Sequence, residues 1–169
     1  LALAYEQLGQ FPQAITASKQ VVDWLTELDD CESLSLVYNN LAASYVHNEQ
    51  LELAKELLGK GLAAAEACQI PRIVAQSYNH WGEYYHKIGD QQTAVESFQK
   101  ALVSLVPDFK ASDWQNVPTL EQLRFSHSQV DALVYLSDHA NSLVQLALTE
   151  EDENLLQAAL QSYYRADAL

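Results

Sequence analysis

The chain has 169 residues, 49% of them hydrophobic, which is enough to bury a core and too apolar for a disordered segment. Its 9 basic side chains face 23 acidic ones, and the formal net charge of -14 repels polyphosphate and anionic lipid, excluding nucleic acid and membrane surfaces as default partners. With only 5 Gly and 4 Pro among abundant Ala, Leu, Gln and Glu, the composition favours helices, where these side chains lose little freedom.

The first predicted element opens in mid-pattern. Leu1-Ala2-x-x-Tyr5 puts a large, a small and an aromatic side chain on one helical stripe. The chain holds no Met, so the natural N-terminus is expected upstream. Gly9 stops this helix, as glycine does past a C-cap. Ala14 sits one turn into the next helix, where only a small side chain fits against a partner. The same columns return 40 residues later as Leu41-Ala42-x-x-Tyr45, Glu49 and Ala54. They return at the same step as Trp81-Gly82-x-x-Tyr85, Gly89 and Ala94, with Phe98 and Ala101 continuing the stripe. The interval predicts three helix pairs over 1–30, 31–70 and 71–106, the first truncated. No pair can bury its apolar face alone, so stacked neighbours complete the core. Cys31 and Cys68 lie 37 residues apart with no CxxC and no flanking histidine cluster. They are expected to be reduced and packed as small apolar groups in a cytoplasmic protein. No apolar run nears the roughly 20 residues that a membrane span needs.

Pro107-Asp108-Phe109 ends the third pair, and 107–118 reads as an irregular loop. One long helix is expected over 120–148, with apolar Val130, Leu133, Val134, Leu136, Leu143 and Leu146. The acidic run 149–154 suits a turn and the N-terminus of a following helix. Ala159-x-x-x-Tyr163-x-x-Ala166 reproduces the spacing of Ala94, Phe98 and Ala101, so 119–169 forms an atypical fourth pair. One tyrosine of each pair, Tyr84-Tyr85 and Tyr163-Tyr164, falls on a core column.

The run Tyr78-x-x-Trp81-Gly82-x-x-Tyr85, then Gly89, Ala94, Phe98 and Ala101, resembles the tetratricopeptide repeat (TPR) consensus. The second unit, with Tyr38, Leu41, Ala42, Tyr45, Ala54 and Leu58, is similar but lacks the turn glycine. The resemblance implies an all-α fold, a TPR-like right-handed superhelix of antiparallel helix pairs with about eight helices and an extended last pair. The step of 40 exceeds the usual length of about 34, which places the extra residues in longer second helices and their connections. From 101 to 169 the order KALVSLVPDF, NVPTLEQL, LLQAALQSYYRADAL is similar to the TPR segment that precedes a CHAT domain, a caspase-like peptidase module of bacterial multidomain proteins. The peptidase His and Cys are not in this sequence, so no catalytic residue carries over.

Catalytic and cofactor motifs are not found. His47, His80, His86, His127 and His139 form no HExxH or other ligand spacing, and no metal or cofactor is expected. His47 closes a helix, where it faces the negative end of the dipole. Asp138 and His139 are adjacent, and helical neighbours point about 100° apart, so they read as solvated surface in place of a dyad. Gly59-Lys60-Gly61 lacks the rest of a P-loop and is expected to mark a helix irregularity. Glu49, Glu52, Glu56 and Glu66 read as a wet outer face, and the chain is not expected to be an enzyme.

The resemblance further implies that the first helix of each pair lines a concave groove. The positions beside the consensus columns, off the buried stripe, are Glu6, Asn39, Asn40, Ala43, His47, Asn79, His80, Glu83 and His86. Asn39 and Asn79 stand one repeat apart, and an amide can both donate to and accept from a peptide backbone. Some TPR domains grip a C-terminal carboxylate with Lys and Arg on these helices, whereas this sequence offers Lys87 among Asn, Ala and Glu. A carboxylate clamp is therefore disfavoured, and a neutral or basic protein segment is the expected partner. The expected function is a protein-interaction scaffold binding a peptide or helix, as a regulatory region of a larger bacterial protein of the CHAT peptidase type. The alternative is a ligand- or peptide-sensing arm of a signalling ATPase or transcription regulator.

Overall fold

A computed structural model of the chain describes residues 4–5 and 8–169, so Leu1, Ala2 and the groove candidate Glu6 lie outside the described residues. From Phe11 onward these residues hold eight α-helices, Ala4 and Tyr5 before them are helical as well, and no described residue is in a strand. In chain order they are α1 Phe11–Glu27, α2 Cys31–His47, α3 Leu51–Cys68, α4 Pro71–Ile88, α5 Gln91–Leu105, α6 Leu120–Leu123, α7 Gln129–Glu150 and α8 Glu153–Asp167. Among the described residues, no helix is long and apolar enough to cross a membrane.

The turns between the first helices share one backbone feature. Gly9 (φ 69°), Asp29 (φ 53°), Glu49 (φ 58°), Gln69 (φ 55°) and Gly89 (φ 86°) all take the left-handed conformation, one every 20 residues. Glycine adopts it freely, whereas an L side chain there costs about 1 kcal/mol. What recurs is thus the left-handed helix ending, with or without glycine. The next helix then starts on a side-chain cap where one is present. Asp30 accepts from the Ser33 amide ahead of α2, and Asp90 accepts from the Thr93 amide ahead of α5.

The chain forms two compact units, Leu1–Ile73 and Val74–Leu169. In the first, α2 packs on α1 and on α3. Ala14 and Ala54 are fully buried there, with Leu41, Ala42, Tyr45 and Leu58 around them. Helix α3 runs unbroken through Gly59-Lys60-Gly61, where an irregularity was expected. The glycine instead permits a close approach: a Cβ on Gly61 would overlap the Asn39 amide, 3.1 Å from its Cγ. Cys31 and Cys68, expected as reduced thiols, form a disulfide. Cys31 opens α2 and Cys68 closes α3, so the antiparallel hairpin brings the two ends together, with Cα atoms 5.7 Å apart. Reduced thiols therefore give no ground for a cytoplasmic setting.

In the second unit α7 packs on α5 and on α8, and α4 meets α5 where Gly82 lies under the Phe98 ring. Ala94, Phe98, Ala101, Leu102 and Leu105 fill the core beneath. The expected helix over 120–148 is two helices, the short α6 and the longer α7. The chain turns between them because the His127 amide donates to the Leu105 carbonyl (3.0 Å) and Ser128 caps α7 through the Asp131 amide. The loop before α6 is held by Gln99, whose Nε2 donates to the carbonyls of Asp113 and of Asn116 (2.9 Å). The acidic turn is shorter than expected, since α7 extends to Glu150 and Asp152 already caps α8. Tyr163 does not reproduce the burial of Phe98: it is 38% exposed against 2%, and its hydroxyl bonds Asn141 Oδ1 at 2.6 Å. Tyr84 is the buried member of its pair, and Tyr85 is half-buried.

Candidate peptide-binding face

Helix α4 carries Gln76, Asn79, His80, Glu83 and His86 at intervals of three and four residues, a spacing that puts them on one face. Asn79 Nδ2 donates to Glu83 Oε1 at 3.0 Å, and His80 Nδ1 lies 3.1 Å from Glu83 Oε2. His86 Nδ1 lies 3.0 Å from Ser142 Oγ on α7. Four residues before Ser142 stands Asp138, half-buried. Burial first, and then the Glu83 carboxylate, push its carboxyl up to about 6, while His86 pulls it down. Four of the sequence candidates, Asn79, His80, Glu83 and His86, thus join Asp138 and Ser142 in one polar face of the second unit. The face offers acceptors and imidazoles. Among the described residues, no group of three His, Cys, Asp or Glu is placed to hold a metal ion.

The candidates on α2 belong to the first unit. Asn40 and Ala43 are half-buried, and His47 is exposed and stacks on Phe11 with ring centroids 5.2 Å apart. Asn39 is fully buried, its Nδ2 3.4 Å from Ser35 Oγ and its amide against Gly61. Asn79 is only 6% exposed. Asn39 and Asn79, expected to face a ligand in the groove, therefore both pack inward. For Asn39 the room comes from Gly61 opposite.

His139, about 100° round α7 from its neighbour Asp138, is wholly buried, where solvated surface was expected. Its Nδ1 lies 3.0 Å from Ser162 Oγ on α8, and its Nε2 lies 2.9 Å from the Trp114 carbonyl. Burial holds the imidazole down to about 4, partly opposed by the Trp114 carbonyl. This histidine ties a loop and a helix to α7 and has no access to solvent. In the first unit, a cleft of about 400 Å³ between α1, α2 and α3 has Tyr38, Leu41 and Tyr45 among its lining residues, with Lys19 and Lys60 beside them. Lys60 is paired with Glu56 at 2.6 Å, and Lys19 lies 5.7 Å from the Tyr45 ring centroid.

Residues 75–102 match the tetratricopeptide repeat family. No curated protein matches the chain in sequence. Among solved structures, BtubC (BKLC) from P. vanneervenii superimposes with a TM-score of 0.67 at 18% identity, over 99% of this chain. The chain spans 59% of that protein. The nearly identical TPR-like repeats from Podosopora anserina give a TM-score of 0.56 at 20% identity, covering 99% of this chain and 90% of theirs. The TPR2AB domain of yeast Sti1, solved in complex with pHSP90, gives 0.52 at 17% identity, covering 98% of this chain and 77% of its own. The chain contains a tetratricopeptide repeat, and its all-helical fold is that of TPR-like helical repeat proteins.

Proposed function

We propose that this chain is a protein-interaction scaffold and that the face between α4 and α7 receives a peptide or helix of the partner. The observation that carries this reading is the convergence of Asn79, His80, Glu83 and His86 on α4 with Asp138 and Ser142 on α7. A network that joins His86 to Ser142, 56 residues apart in sequence, with carboxylates on its open side, suits recognition of a donor-rich segment. The Sti1 neighbour, a TPR domain captured with a partner protein, supports the same use of the fold. The net charge of -14 favours a neutral or basic partner. The motif order from 101 to 169 supports a place beside a CHAT peptidase in a bacterial protein, where binding would regulate the attached enzyme.

The test is selection of peptides from a random display library against the chain, followed by amide NMR mapping. Selected peptides are expected to shift the signals of Asn79, Glu83, His86 and Ser142, and Glu83→Ala to weaken them at least about tenfold, or 1.4 kcal/mol. Peptides that bind while leaving α4 and α7 unmoved would refute this assignment of the face.

A further inference from the structure

The half-buried carboxylate of Asp138 has no hydrogen bond or ion pair among the described residues. Its neighbouring charges are the like-charged Glu83 and the imidazole of His86, which is engaged with Ser142. A second group nearby is also unsatisfied. Asn79 is more than nine-tenths buried, its Nδ2 is bonded to Glu83, and its Oδ1 has no partner among the described residues. Gln76 Oε1, one turn earlier on the same face, is enclosed without a partner too. An enclosed acceptor left unmade costs about 1–3 kcal/mol, which a donor reaching it would recover in part.

Asp138, Asn79 Oδ1 and Gln76 Oε1 are acceptors, whereas Trp81 Nε1 on the same helix is an enclosed donor without a partner, and two of the surrounding groups, Asp138 and Glu83, are carboxylates. A ligand that satisfied these acceptors would bring several N–H donors and a positive charge. His80 is taken up by Glu83, its Nδ1 3.1 Å from Oε2, and is not among the groups acting on Asp138. Lys87, in the last turn of α4, is exposed. We propose that this face seats one lysine or arginine side chain of the bound peptide, with its ammonium or guanidinium between Asp138 and Glu83 and Asn79 Oδ1 as a further acceptor. This rests on the scaffold reading above and narrows it to one cation subsite. Charge-assisted bonds of this kind are about twice as strong as neutral ones, and partial burial lowers the screening around them. Burial and the Glu83 carboxylate raise the titration of Asp138, and a cation seated beside both would lower it.

The experiment takes a display-selected peptide that maps to the α4–α7 face and replaces each arginine by citrulline, or each lysine by acetyl-lysine, which keeps shape and removes charge. One replacement is expected to weaken binding at least about tenfold. Asp138→Asn, checked for fold by circular dichroism, is expected to lose most of the preference for the charged peptide over the neutral one. In wild type, side-chain carboxyl NMR should show Asp138 returning toward the ordinary carboxylate range when the charged peptide is bound. The subsite is overturned, with the scaffold reading intact, if peptides seat on this face but no neutral replacement weakens them or Asp138→Asn leaves the preference unchanged. Spermidine that matches the peptide in affinity and in its effect on Asp138 would overturn assignment to a peptide side chain. If no selected peptide reaches the face at all, both readings fall.

Discussion

Asp138 and His139 are chain neighbours on α7, yet the helix turns one toward a polar face and the other into the core. His139 stays neutral in the fold because burial disfavours its cation, holding it near 4 against an ordinary 6.5. The unfolded chain takes up the proton first as pH falls, so the folded state loses stability between about 6.5 and 4 and regains it on return to neutrality. The shift corresponds to about 3 kcal/mol. In His139→Asn, a variant less stable at pH 7, the deficit relative to wild type should shrink by roughly that amount by pH 4. Urea unfolding at a series of pH values checks it, and a constant deficit would show that the imidazole is not held neutral. A Cβ on Gly89 meets nothing within 4 Å, so Gly89→Ala has only its left-handed φ of 86° to pay for and should lose about 1 kcal/mol. Glu49, equivalent by the 40-residue step and at φ 58°, should respond in reverse. Glu49→Gly is expected to gain roughly 0.5–1 kcal/mol in the same assay.

At the scale of the element, the disulfide closes the α2–α3 hairpin by joining its first residue to its last. A crosslink spanning 37 residues restricts the unfolded chain, which in the loop-entropy account is worth up to about 4 kcal/mol. Dithiothreitol, or Cys31→Ser with Cys68→Ser, should therefore lower the unfolding midpoint of the oxidised protein. Native mass spectrometry after thiol alkylation should add no label before reduction, and two labels on the untreated protein would refute the crosslink. This pairing had a sign in the sequence: Cys31 and Cys68 each lie 18 residues from the Glu49-Gln50 turn, as the two ends of one hairpin must. The break before α7 had a sign too, since Ser128-x-x-Asp131 places a capping serine ahead of an acidic first turn. Apolar periodicity on both sides concealed it, and the bond from His127 to Leu105 is tertiary. The columns of Ala14, Ala54 and Ala94, by contrast, were fully legible, because a small side chain at a constant step records close helix packing directly.

Across the whole molecule, what the repeat marks and what it leaves unmarked separate at residue 107. Before it, the 40-residue step assigns Asn79, His80, Glu83 and His86 to a first helix; after it the step fails, and no column points to Asp138 or Ser142. Depth was also invisible, since whether an amide faces solvent or a glycine depends on the opposing helix, as at Asn39 and Gly61. Net charge is the one global property that composition states outright, and it makes a two-sided prediction. With -14 charges, the folded chain repels itself more than the expanded one does. The Lys60–Glu56 and Arg72–Glu32 ion pairs are solvent-accessible contacts that contribute little against that repulsion. Raising NaCl from about 0.01 M to 0.15 M shortens the screening length from roughly 30 Å to 8 Å. The unfolding midpoint should rise over that range, while association of a basic display-selected peptide should slow because the same screening removes its steering. A citrulline-substituted peptide should show little change in rate. If stability and the basic peptide's association rate instead moved together, self-repulsion and steering could not both come from the acidic excess.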